Sequence, residues 1–439
     1  MSLIEPRTLK GFRDYPPALM IPRERMLETA RRVFRSYGFA PIDTPALEYA
    51  EILTGKGGEE SDRLIYQFKD HGGRDVALRF DLTVPFARFA AQHIGQLGTP
   101  FKRYHMGPVW RGENTAHGRY REFWQCDFDT IGTHANAADI EIALVIHDLM
   151  TSLGFERFSI RINNRLVLNG LLENIGLADR AVPLLRALDK LPKIGADKVC
   201  DEMQRTAGVT ADQARQILAL AALQGDNESV LNRLEAEYGS NARTAEGIRR
   251  LRELLAVATE AGIPRDRLTI DLAICRGLDY YTGTIYETFR LDKTDIGNVC
   301  SSGRYGNLAS HYTKQQLPGV GASLGLDRLL AAMEELGMIR DVSTPAPVLI
   351  VQFDPARLGA YQNLARRLRG FGIGTEVYPE AKKIGAQLQY AERRGFSLAL
   401  IAGSEEFAQR VWKVKHLATR TETAVDDAEV VEFVRSRLT

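Results

Sequence analysis

Hydrophobic and polar positions alternate in blocks along the N-terminal part of the chain. Residues 18–38 place apolar side chains at helical spacing among charged ones, and Gly38 marks the end of the predicted helix. Strand patterns dominate residues 64–132, with a hairpin turn predicted at His71-Gly72-Gly73. A further helix is predicted over 137–153. This part of the chain therefore predicts a sheet accompanied by helices.

The pattern changes twice further along the chain. Nearly every segment from 165 to 262 has helical periodicity, and strand patterns return at 268–289 and 319–326. After a proline-containing break at 343–347, apolar strands alternate with helices, which predicts a compact α/β domain with a largely parallel sheet. The predicted domains are a β-rich core, a helical insertion and a C-terminal α/β domain, occupying 1–164 with 263–342, 165–262 and 346–439.

Composition indicates a globular protein. The chain has 439 residues, of which 44% are hydrophobic and 26% charged. Its 57 basic residues against 56 acidic ones give a net charge of +1, which excludes a strongly basic coat. Binding to a nucleic acid would therefore depend on local charge and on shape.

Cysteine usage and the N-terminal sequence favour a cytoplasmic protein. The four cysteines lie far apart and form no C-x-x-C pair, which argues against zinc-ribbon and redox motifs and suits a reducing compartment. The first seventeen residues, MSLIEPRTLKGFRDYPP, carry charges throughout and lack the apolar core of a secretory signal. We also expect no membrane span, because no run approaches about 18 apolar residues.

One cluster of candidate site residues is especially dense. Two strand patterns between residues 103 and 129 flank a charged loop. Alternation along these strands would place six of their side chains on common faces, namely Arg111, Glu113, Phe123, Gln125, Asp127 and Asp129. Such a face cannot be an apolar core. A solvated face with surface ion pairs is the alternative, but the density of charge around an aromatic ring favours a binding site.

Three further clusters carry candidate chemistry. Residues 275–283 supply an arginine, an aspartate and two tyrosines, and two glycines there allow a ligand to approach closely. At 319–328 a glycine-rich strand runs into a helix that opens with Asp327 and Arg328. In the segment 78–88, Asp81 and Thr83 are predicted to face the same way on a strand.

Each of these clusters also has an ordinary structural interpretation. The first could be a tight turn with exposed tyrosines, and the second could be simple packing at a strand-to-helix junction. The third could be a strand end followed by an Asx-type turn before Pro85. No G-x-x-x-x-G-K-[ST] sequence occurs, so a P-loop site is not expected.

In this order, the clusters resemble the motifs of class II aminoacyl-tRNA synthetases, and specifically the histidyl-tRNA synthetase family. The segments at about 20–48, 103–132 and 319–336 resemble motifs 1, 2 and 3 of the class. The peptide RGLDYYTG at 276–283 resembles one characteristic of histidine-specific enzymes. The peptide SSGRYGNL at 301–308 resembles a second such peptide, usually nearer to GGGRYDGL, from which four residues depart: Ser301, Ser302, Gly306 and Asn307.

The resemblance implies a fold, a reaction and partners. The implied fold is α/β: an α+β catalytic core with an antiparallel sheet flanked by helices, a helical insertion and a C-terminal α/β anticodon-binding domain. The implied reaction is activation of L-histidine by ATP, with Mg²⁺ assisting, and transfer of the histidyl group to histidine tRNA. Motif 1 forms the dimer interface in this class, so a homodimer in the cytoplasm is also implied.

The resemblance also implies roles for particular residues. Arg111 and Arg276 would be the catalytic arginines at the α-phosphate, and Arg276 would also bind the histidine carboxylate. The ATP-binding set is Arg111, Glu113, Phe123 and Arg328. The histidine-binding set is Asp81, Leu82, Thr83, Gln125, Asp129, Arg276, Tyr280 and Tyr281, in which Asp129 and Tyr281 would bind the imidazole.

Two other functions fit parts of this pattern. One is the catalytically inactive, synthetase-like regulatory subunit of ATP phosphoribosyltransferase, which lacks the anticodon domain and tends to lose the catalytic arginines. The other is a non-catalytic RNA-binding or regulatory module. The altered peptide at 301–308 is the feature that favours either, whereas Arg111, Arg276 and Arg328 favour the ligase.

Overall fold

The computed structural model describes residues 3–56, 62–275, 281–291, 297–306, 308–339, 342–352 and 354–438. The chain forms two compact units. The first comprises Met1–Arg13 and Met26–Glu335, and the second comprises Asp14–Arg25 and Leu336–Thr439. No helix in the described ranges is long and apolar enough to cross a membrane.

The described strands of the first unit fall into two sheets. In chain order they are β1 (Ala40–Pro41), β2 (Leu47–Tyr49), β3 (Gln67–Lys69), β4 (Asp75–Leu78), β5 (Phe101–Trp110), β6 (Glu122–Ile131), β7 (Phe158–Asn164), β8 (Leu268–Ile270), β9 (Tyr281–Arg290), β10 (Asn298–Tyr305) and β11 (Gly319–Gly325). The large sheet has the order β1-β5-β6-β11-β10-β9-β7-β8, and β2-β4-β3 form the small one. Pairing in the large sheet is antiparallel except at its edges, where β1 and β8 run parallel to their neighbours.

The described helices that belong wholly or partly to the first unit are α1 (Pro17–Ser36), α2 (Ala50–Leu53), α3 (Thr83–Leu97), α4 (Asn136–Ser152), α5 (Arg165–Asn174), α6 (Ala181–Leu188), α7 (Leu191–Ile194), α8 (Ala196–Ala207), α9 (Ala211–Ala221), α10 (Asn227–Tyr238), α11 (Ala242–Glu260) and α12 (Leu326–Glu335). The predicted helices at 18–38 and 137–153 are thus confirmed. Helices follow one another from 165 to 260, a fully described stretch without a strand.

One face of the large sheet carries its apolar core. On β5 and β6 the rings of Tyr104 and Phe128 point to this face, and the Phe34 ring of α1 packs 5.6 and 4.9 Å from them, centroid to centroid. Helix α4 lies against the same sheet, where its backbone at Asp139 accepts a 2.7 Å hydrogen bond from the Tyr286 hydroxyl. The opposite face, which we call the front face, is therefore left to the polar side chains of these strands.

The segment after β4 corrects the prediction of a strand through Asp81 and Thr83. The chain leaves β4 at Leu78 and enters helix α3 at Thr83. The Asp81 carboxylate accepts the backbone N–H groups of Thr83 and Val84, at 3.1 and 2.9 Å. These bonds satisfy donors that the first helical turn leaves unpaired, so the Asx-type turn wins over a continued strand. The predicted hairpin is confirmed, since β3 and β4 pair around a turn closed by Gly73 N–H and Asp70 O at 2.9 Å.

Helices α5 and α11 cross closely within the helical stretch. The crossing depends on glycine, because a Cβ atom at Gly170 would lie 2.3 Å from Thr244 Oγ1. A Cβ atom at Gly247 would likewise lie 2.7 Å from the Val167 side chain. The helices α5, α6, α8 and α9 share a buried core that includes Leu172, Leu184 and Met203.

The second unit has a five-stranded sheet with helices α13 (Leu358–Gly370), α14 (Ile384–Arg394), α15 (Ser404–Gln409) and α16 (Val430–Leu438). Its strands are β12 (Val348–Ile350), β13 (Thr375–Val377), β14 (Leu398–Ile401), β15 (Val411–His416) and β16 (Glu422–Asp426), in the order β13-β12-β14-β15-β16. β12 runs parallel to β13 and β14, whereas β15 runs antiparallel to both of its neighbours, β14 and β16. The sheet is therefore mixed, and the prediction of a largely parallel sheet is corrected. The short turn before β16 returns the chain antiparallel, whereas a parallel strand would need a crossover.

Candidate active site on the front face of the central sheet

The front face gathers the polar residues of β5 and β6. Register places Arg103 opposite Asp129 and His105 opposite Asp127. Phe123, Gln125, Asp127 and Asp129 alternate along β6 and so share this face, as their spacing predicts. Arg111 and Glu113 lie just beyond the end of β5, at the mouth of the same face.

Asp129 is buried at the centre of this face and held by an ion pair and a hydrogen bond. Its Oδ2 lies 2.7 Å from Arg103 Nη2, and its Oδ1 accepts a 2.9 Å hydrogen bond from the Tyr305 hydroxyl. Burial raises the pKa of the Asp129 carboxyl, and the charge of Arg103 and the Tyr305 hydrogen bond act against that rise. A carboxylate fixed in this way is suited to accept an N–H donor from a ligand.

Arg103 connects Asp129 to the start of helix α3. Its guanidinium is fully buried, donates to the Leu82 carbonyl at 3.2 Å and lies over the Phe86 ring at 4.3 Å. No role was predicted for Arg103, because its partner is 26 positions away and the strand register decides the contact. One signal could have identified Arg103 as a site residue: it is a charged residue on a strand that also carries buried apolar residues.

Asp127 sits between two neighbouring strands, opposite His105 on β5 and Ser323 on β11. Burial raises its pKa to about 7, with Asp129 and Asp81 adding to the rise and Arg103 opposing it. Burial and two nearby arginines lower the pKa of His105 to about 3, so this imidazole is neutral at physiological pH.

Glycines on β11 make room for the side chains on the front face. A Cβ atom at Gly321 would lie 2.0 Å from Asp129 Oδ1, and one at Gly319 would lie 2.5 Å from the Tyr305 ring. Sequence analysis offered simple packing as the alternative explanation for these glycines. The structure shows that two of them keep the space in which Asp129 and Tyr305 lie.

Residues 301–305 of the altered peptide form the end of β10, and both retained and altered residues among them make contacts. A Cβ atom at Gly303 would lie 2.5 Å from the Tyr281 ring, so the ring lies directly over this glycine. On the other face, Arg304 forms a buried ion pair with Asp139 of α4. Ser302, one of the departures, donates a hydrogen bond to the Gly321 carbonyl and ties β10 to β11. Another departure, Asn307, lies outside the described residues.

Arg111 is held by aromatic rings at the mouth of the site. Its guanidinium lies 4.3 Å from the centroid of the Phe80 ring and 5.0 Å from that of Phe123. Its Nε donates to the Phe80 carbonyl at 3.1 Å. Glu113, two residues on, lies 3.6 Å from the Arg119 guanidinium. These half-buried groups form a cationic and aromatic surface suited to phosphate and a planar base.

The start of helix α12 completes the mouth. Asp327 is buried and accepts the Trp124 backbone N–H at 2.8 Å, which ties the helix to β6. Arg328 donates to the backbone and side-chain oxygens of Asn298, at 2.8 and 2.7 Å. The loop between β5 and β6 reaches the other end of the helix, where His117 Nδ1 lies 3.1 Å from Glu335 Oε1.

The structure thus brings most of the predicted site residues together in the first unit. The described members are Asp81, Leu82, Thr83, Arg111, Glu113, Phe123, Gln125, Asp129, Tyr281 and Arg328. Arg276 and Tyr280 lie outside the described residues. Sequence analysis missed Tyr305 and Ser323, which contact the predicted residues only through strand pairing.

Models of two protein families match the chain. The one described as histidyl-tRNA synthetase matches residues 11–329, and the one described as an anticodon binding domain matches residues 348–437. The second match favours the ligase over the regulatory subunit considered above, because that subunit resembles only the catalytic core.

Individual proteins agree with these matches. A histidine–tRNA ligase of Rhodopirellula baltica is 59% identical over 418 residues, and one of Wolinella succinogenes is 44% identical over the same length. Both alignments cover 95% of each chain. A crystal structure of histidyl-tRNA synthetase from Nostoc sp. PCC 7120 superposes with a TM-score of 0.90 at 32% identity, over 99% of this chain and 100% of that one. The predicted fold class and resemblance are confirmed: the chain belongs to the histidyl-tRNA synthetase family.

Proposed function

We propose that the chain is a histidine–tRNA ligase, which activates L-histidine with ATP and transfers it to the 3′ end of histidine tRNA. The observation that carries this proposal is the buried Asp129 carboxylate, fixed by Arg103 and Tyr305 within a site of this family. An imidazole N–H bound there would meet a preorganised acceptor. A site with buried hydrogen-bonding groups can reject analogues that lack the matching donor by roughly 10⁴- to 10⁵-fold.

The histidine half of the site lies on the front face. In our proposal Asp129 and Tyr281 bind the imidazole, and Tyr280 lines the pocket. The α-amino group lies near Asp81, Leu82, Thr83 and Gln125, where backbone N–H groups at the start of helix α3 hold the Asp81 carboxylate. Arg276 binds the substrate carboxylate.

The ATP half lies at the mouth. Arg111 holds the α-phosphate, Phe123 stacks on the adenine and Arg328 contacts ATP near the γ-phosphate. The rings of Phe80 and Phe123 beside Arg111 support this assignment, since they orient the guanidinium before a ligand arrives. Glu113 meets the adenine amino group or a phosphate-bound Mg²⁺ in our proposal. Magnesium is usually held by one or two carboxylates together with substrate phosphates, and this half-buried carboxylate fits that pattern.

The chemistry follows from charge. The histidine carboxylate attacks the α-phosphorus of ATP and pyrophosphate leaves, so two anions must meet while charge builds on the non-bridging oxygens. Arginines fixed in advance on both sides lower that barrier most effectively. No protein base is needed in this step, because the nucleophile is already ionised. In the second step the terminal hydroxyl of tRNA attacks the adenylate, and a phosphate oxygen of the adenylate accepts its proton.

We further propose a division of labour along the chain. The catalytic core is 1–164 with 263–342, residues 165–262 are a helical insertion, and 346–439 bind the anticodon. The second unit suits single-stranded bases better than a gripped duplex, since its excess of basic over acidic residues is small. The cytoplasm is the compartment in which this reaction would serve protein synthesis.

A homodimer is part of the same proposal. The small sheet β2-β4-β3 leaves Leu47, Tyr49 and Phe68 about half exposed on one face, where Tyr49 and Phe68 flank Val76 in register. Exposed apolar surface of this kind marks an interaction site. A second copy of the chain is the partner that we propose, because motif 1 precedes and includes β2.

The test is pyrophosphate exchange with each of the twenty amino acids. We expect exchange with histidine alone. Arg276→Ala should abolish that exchange while the dimer, measured by analytical ultracentrifugation, stays intact. A folded protein that shows no exchange with histidine would contradict the ligase and return attention to the regulatory subunit. Near-normal exchange in the Arg276→Ala variant would contradict only the role of that arginine.

A further inference from the structure

Two buried acceptor atoms lie next to each other on the front face of β6. Among the residues that the structure describes, neither Oε1 of Gln125 nor Oδ1 of Asp127 has a hydrogen-bond partner. The two side chains are only 8% and 1% exposed. Leaving a buried acceptor unpaired is costly, and native proteins rarely do so without a reason. These two oxygens therefore point to donors that arrive with a ligand.

Ser323 lies beside both side chains. Gln125 Nε2 donates to Ser323 Oγ at 2.6 Å, and Ser323 lies opposite Asp127 in register. Because the hydroxyl accepts from Gln125, its own hydrogen is free to point toward the carboxylate that lies opposite it in register. Ser323 thus lies next to both side chains, and their spacing along β6 puts the two on the same face.

Charge around Asp127 is unbalanced. Carboxylates of Asp81 and Asp129 share the pocket with it, and the buried cation nearest to Asp129, Arg103, is engaged by that residue at 2.7 Å. The titratable and charged groups that face Asp127 come from β5, β6, β10 and the segment after β4, and they are Arg103, His105, Asp129, Tyr305, Arg79 and Asp81. His105 is neutral, and burial raises the pKa of Tyr305 well above its usual value. Since Arg103 pairs with Asp129 and Arg79 lies 3.6 Å from Asp43, Asp127 forms no ion pair with any residue that the structure describes.

We propose that Asp127 is a further histidine-binding residue, protonated in the empty pocket, which releases its proton to solvent when the α-ammonium group of L-histidine docks against it and Gln125. An ammonium group carries three donors, and Gln125 Oε1, Asp127 Oδ1 and the Asp81 carboxylate offer three acceptors. The only change in protonation is that one carboxylic acid becomes a carboxylate paired with the ammonium. This inference rests on the proposed function, since it takes L-histidine as the ligand.

The proposal fixes how affinity depends on pH. The pKa of Asp127 is about 7 in the empty pocket, and an adjacent ammonium group would lower it. Protonated Asp127 must ionise before the ligand binds fully, so affinity for histidine rises as pH rises through 7 and then levels off. Titration of the free imidazole contributes a background that is common to wild type and variants.

Calorimetric titration of the full-length protein with L-histidine is the direct test. Heats measured at pH 7 in buffers of different ionisation enthalpy give the number of protons released. We expect the wild type to release about half a proton more than Asp127→Asn, because the group is half protonated at its pKa. The variant should also bind histidine roughly 10- to 100-fold more weakly, which is the usual effect of losing a charged hydrogen bond. Between pH 6 and 8 its affinity should keep only the imidazole background, so the ratio of wild-type to variant affinity should rise with pH.

A second measurement decides the matter even if Asp127→Asn fails to fold. Infrared difference spectra of the wild type with and without L-histidine should show loss of the carbonyl stretch of a protonated carboxylic acid. No such loss, equal proton release by wild type and variant, or proton uptake would each overturn the proposal. A wild type that binds no histidine at all would overturn the proposed function with it, whereas normal binding without proton release would overturn only this inference.

Discussion

The two halves of the candidate site are built in opposite ways. In the histidine half, the ionisable groups on the front face are buried: Arg103 is fully buried, and Asp127 and Asp129 are 1% and 3% exposed. In the ATP half, Arg111 and Glu113 are half-buried, and rings and a backbone carbonyl hold the guanidinium. We call the buried histidine half the floor and the more exposed ATP half the shelf.

The difference reflects what each half has to recognise. Discrimination among small amino acids needs buried groups whose partners are missing when the wrong ligand binds. ATP and the end of a tRNA are large and highly charged, so an accessible cationic surface with aromatic support is sufficient. We therefore expect substitutions in the buried floor to affect stability and histidine binding together, and those on the shelf to affect the rate alone.

Arg103→Met should have the largest effect. It removes the buried cation bound to Asp129 and leaves three carboxylates in the pocket, so we expect a loss of about 3–5 kcal/mol of unfolding free energy. Urea denaturation followed by circular dichroism measures it. Arg119→Met is the matched control, since its 3.6 Å contact with Glu113 is exposed and should be worth about 0–1 kcal/mol. Equal losses in the two variants would contradict the contrast between floor and shelf.

Arg111→Ala should come next, and its effect should be on the rate. In our proposal Arg111 holds the reacting phosphate, and loss of such a cation costs roughly 10²- to 10³-fold in kcat. Unfolding free energy should change little, because the guanidinium is only half-buried. Pyrophosphate exchange at saturating histidine and ATP measures the rate. A large drop in stability with an unchanged kcat would place Arg111 with the floor instead.

Gly321→Ala tests the floor without changing a charge. The added methyl group would lie 2.0 Å from Asp129 Oδ1 and must displace this carboxylate. Overpacking of this kind costs about 1–3 kcal/mol, so KM for histidine should rise roughly 10- to 100-fold with KM for ATP nearly unchanged. Gly95→Ala on helix α3 is the control, because nothing lies within 4 Å of its Cβ position.

Tyr305→Phe should have the smallest effect of the four and a characteristic pH dependence. It removes the hydrogen bond to Asp129 and leaves the ion pair with Arg103, so KM for histidine should rise about tenfold. In the wild type, the hydrogen bond from Tyr305 lowers the pKa of Asp129. Removing this bond therefore raises that pKa in the variant. The ratio of variant to wild-type KM should grow as pH falls from 8 to 6. Tyr361→Phe, which loses a 2.9 Å bond to a backbone carbonyl in the second unit, should leave both KM values unchanged.

Local sequence was sufficient for those parts of the site that lie along single strands. Alternation on β6 predicted the shared face of Phe123, Gln125, Asp127 and Asp129, because side chains on a strand point to opposite faces in turn. A strand was predicted through Asp81 and Thr83, although helix α3 begins at Thr83 and Val84, Ala87, Ala90 and Ile94 form one buried stripe of it. A short apolar run is ambiguous by periodicity, and here the Asp81 cap decided the outcome.

Contacts set by strand pairing could not be predicted from the sequence. Arg103 meets Asp129 across β5 and β6, and Tyr305 reaches Asp129 although 176 positions separate them. A shift of one residue in register would turn each of these side chains to the other face. The same holds for Ser323, whose contact with Gln125 depends on the pairing of β11 with β6.

Three glycines of the front face also determine which positions of the pocket can be redesigned. Positions 303, 319 and 321 are fixed by the side chains that lie over them, so a library that varied these positions would mostly yield displaced side chains. Tyr281 is half-buried at the start of β9, and its ring lies over Gly303. A library that varies Tyr281 and keeps the three glycines would therefore sample new pocket shapes for larger imidazole analogues while the underlying backbone stays intact.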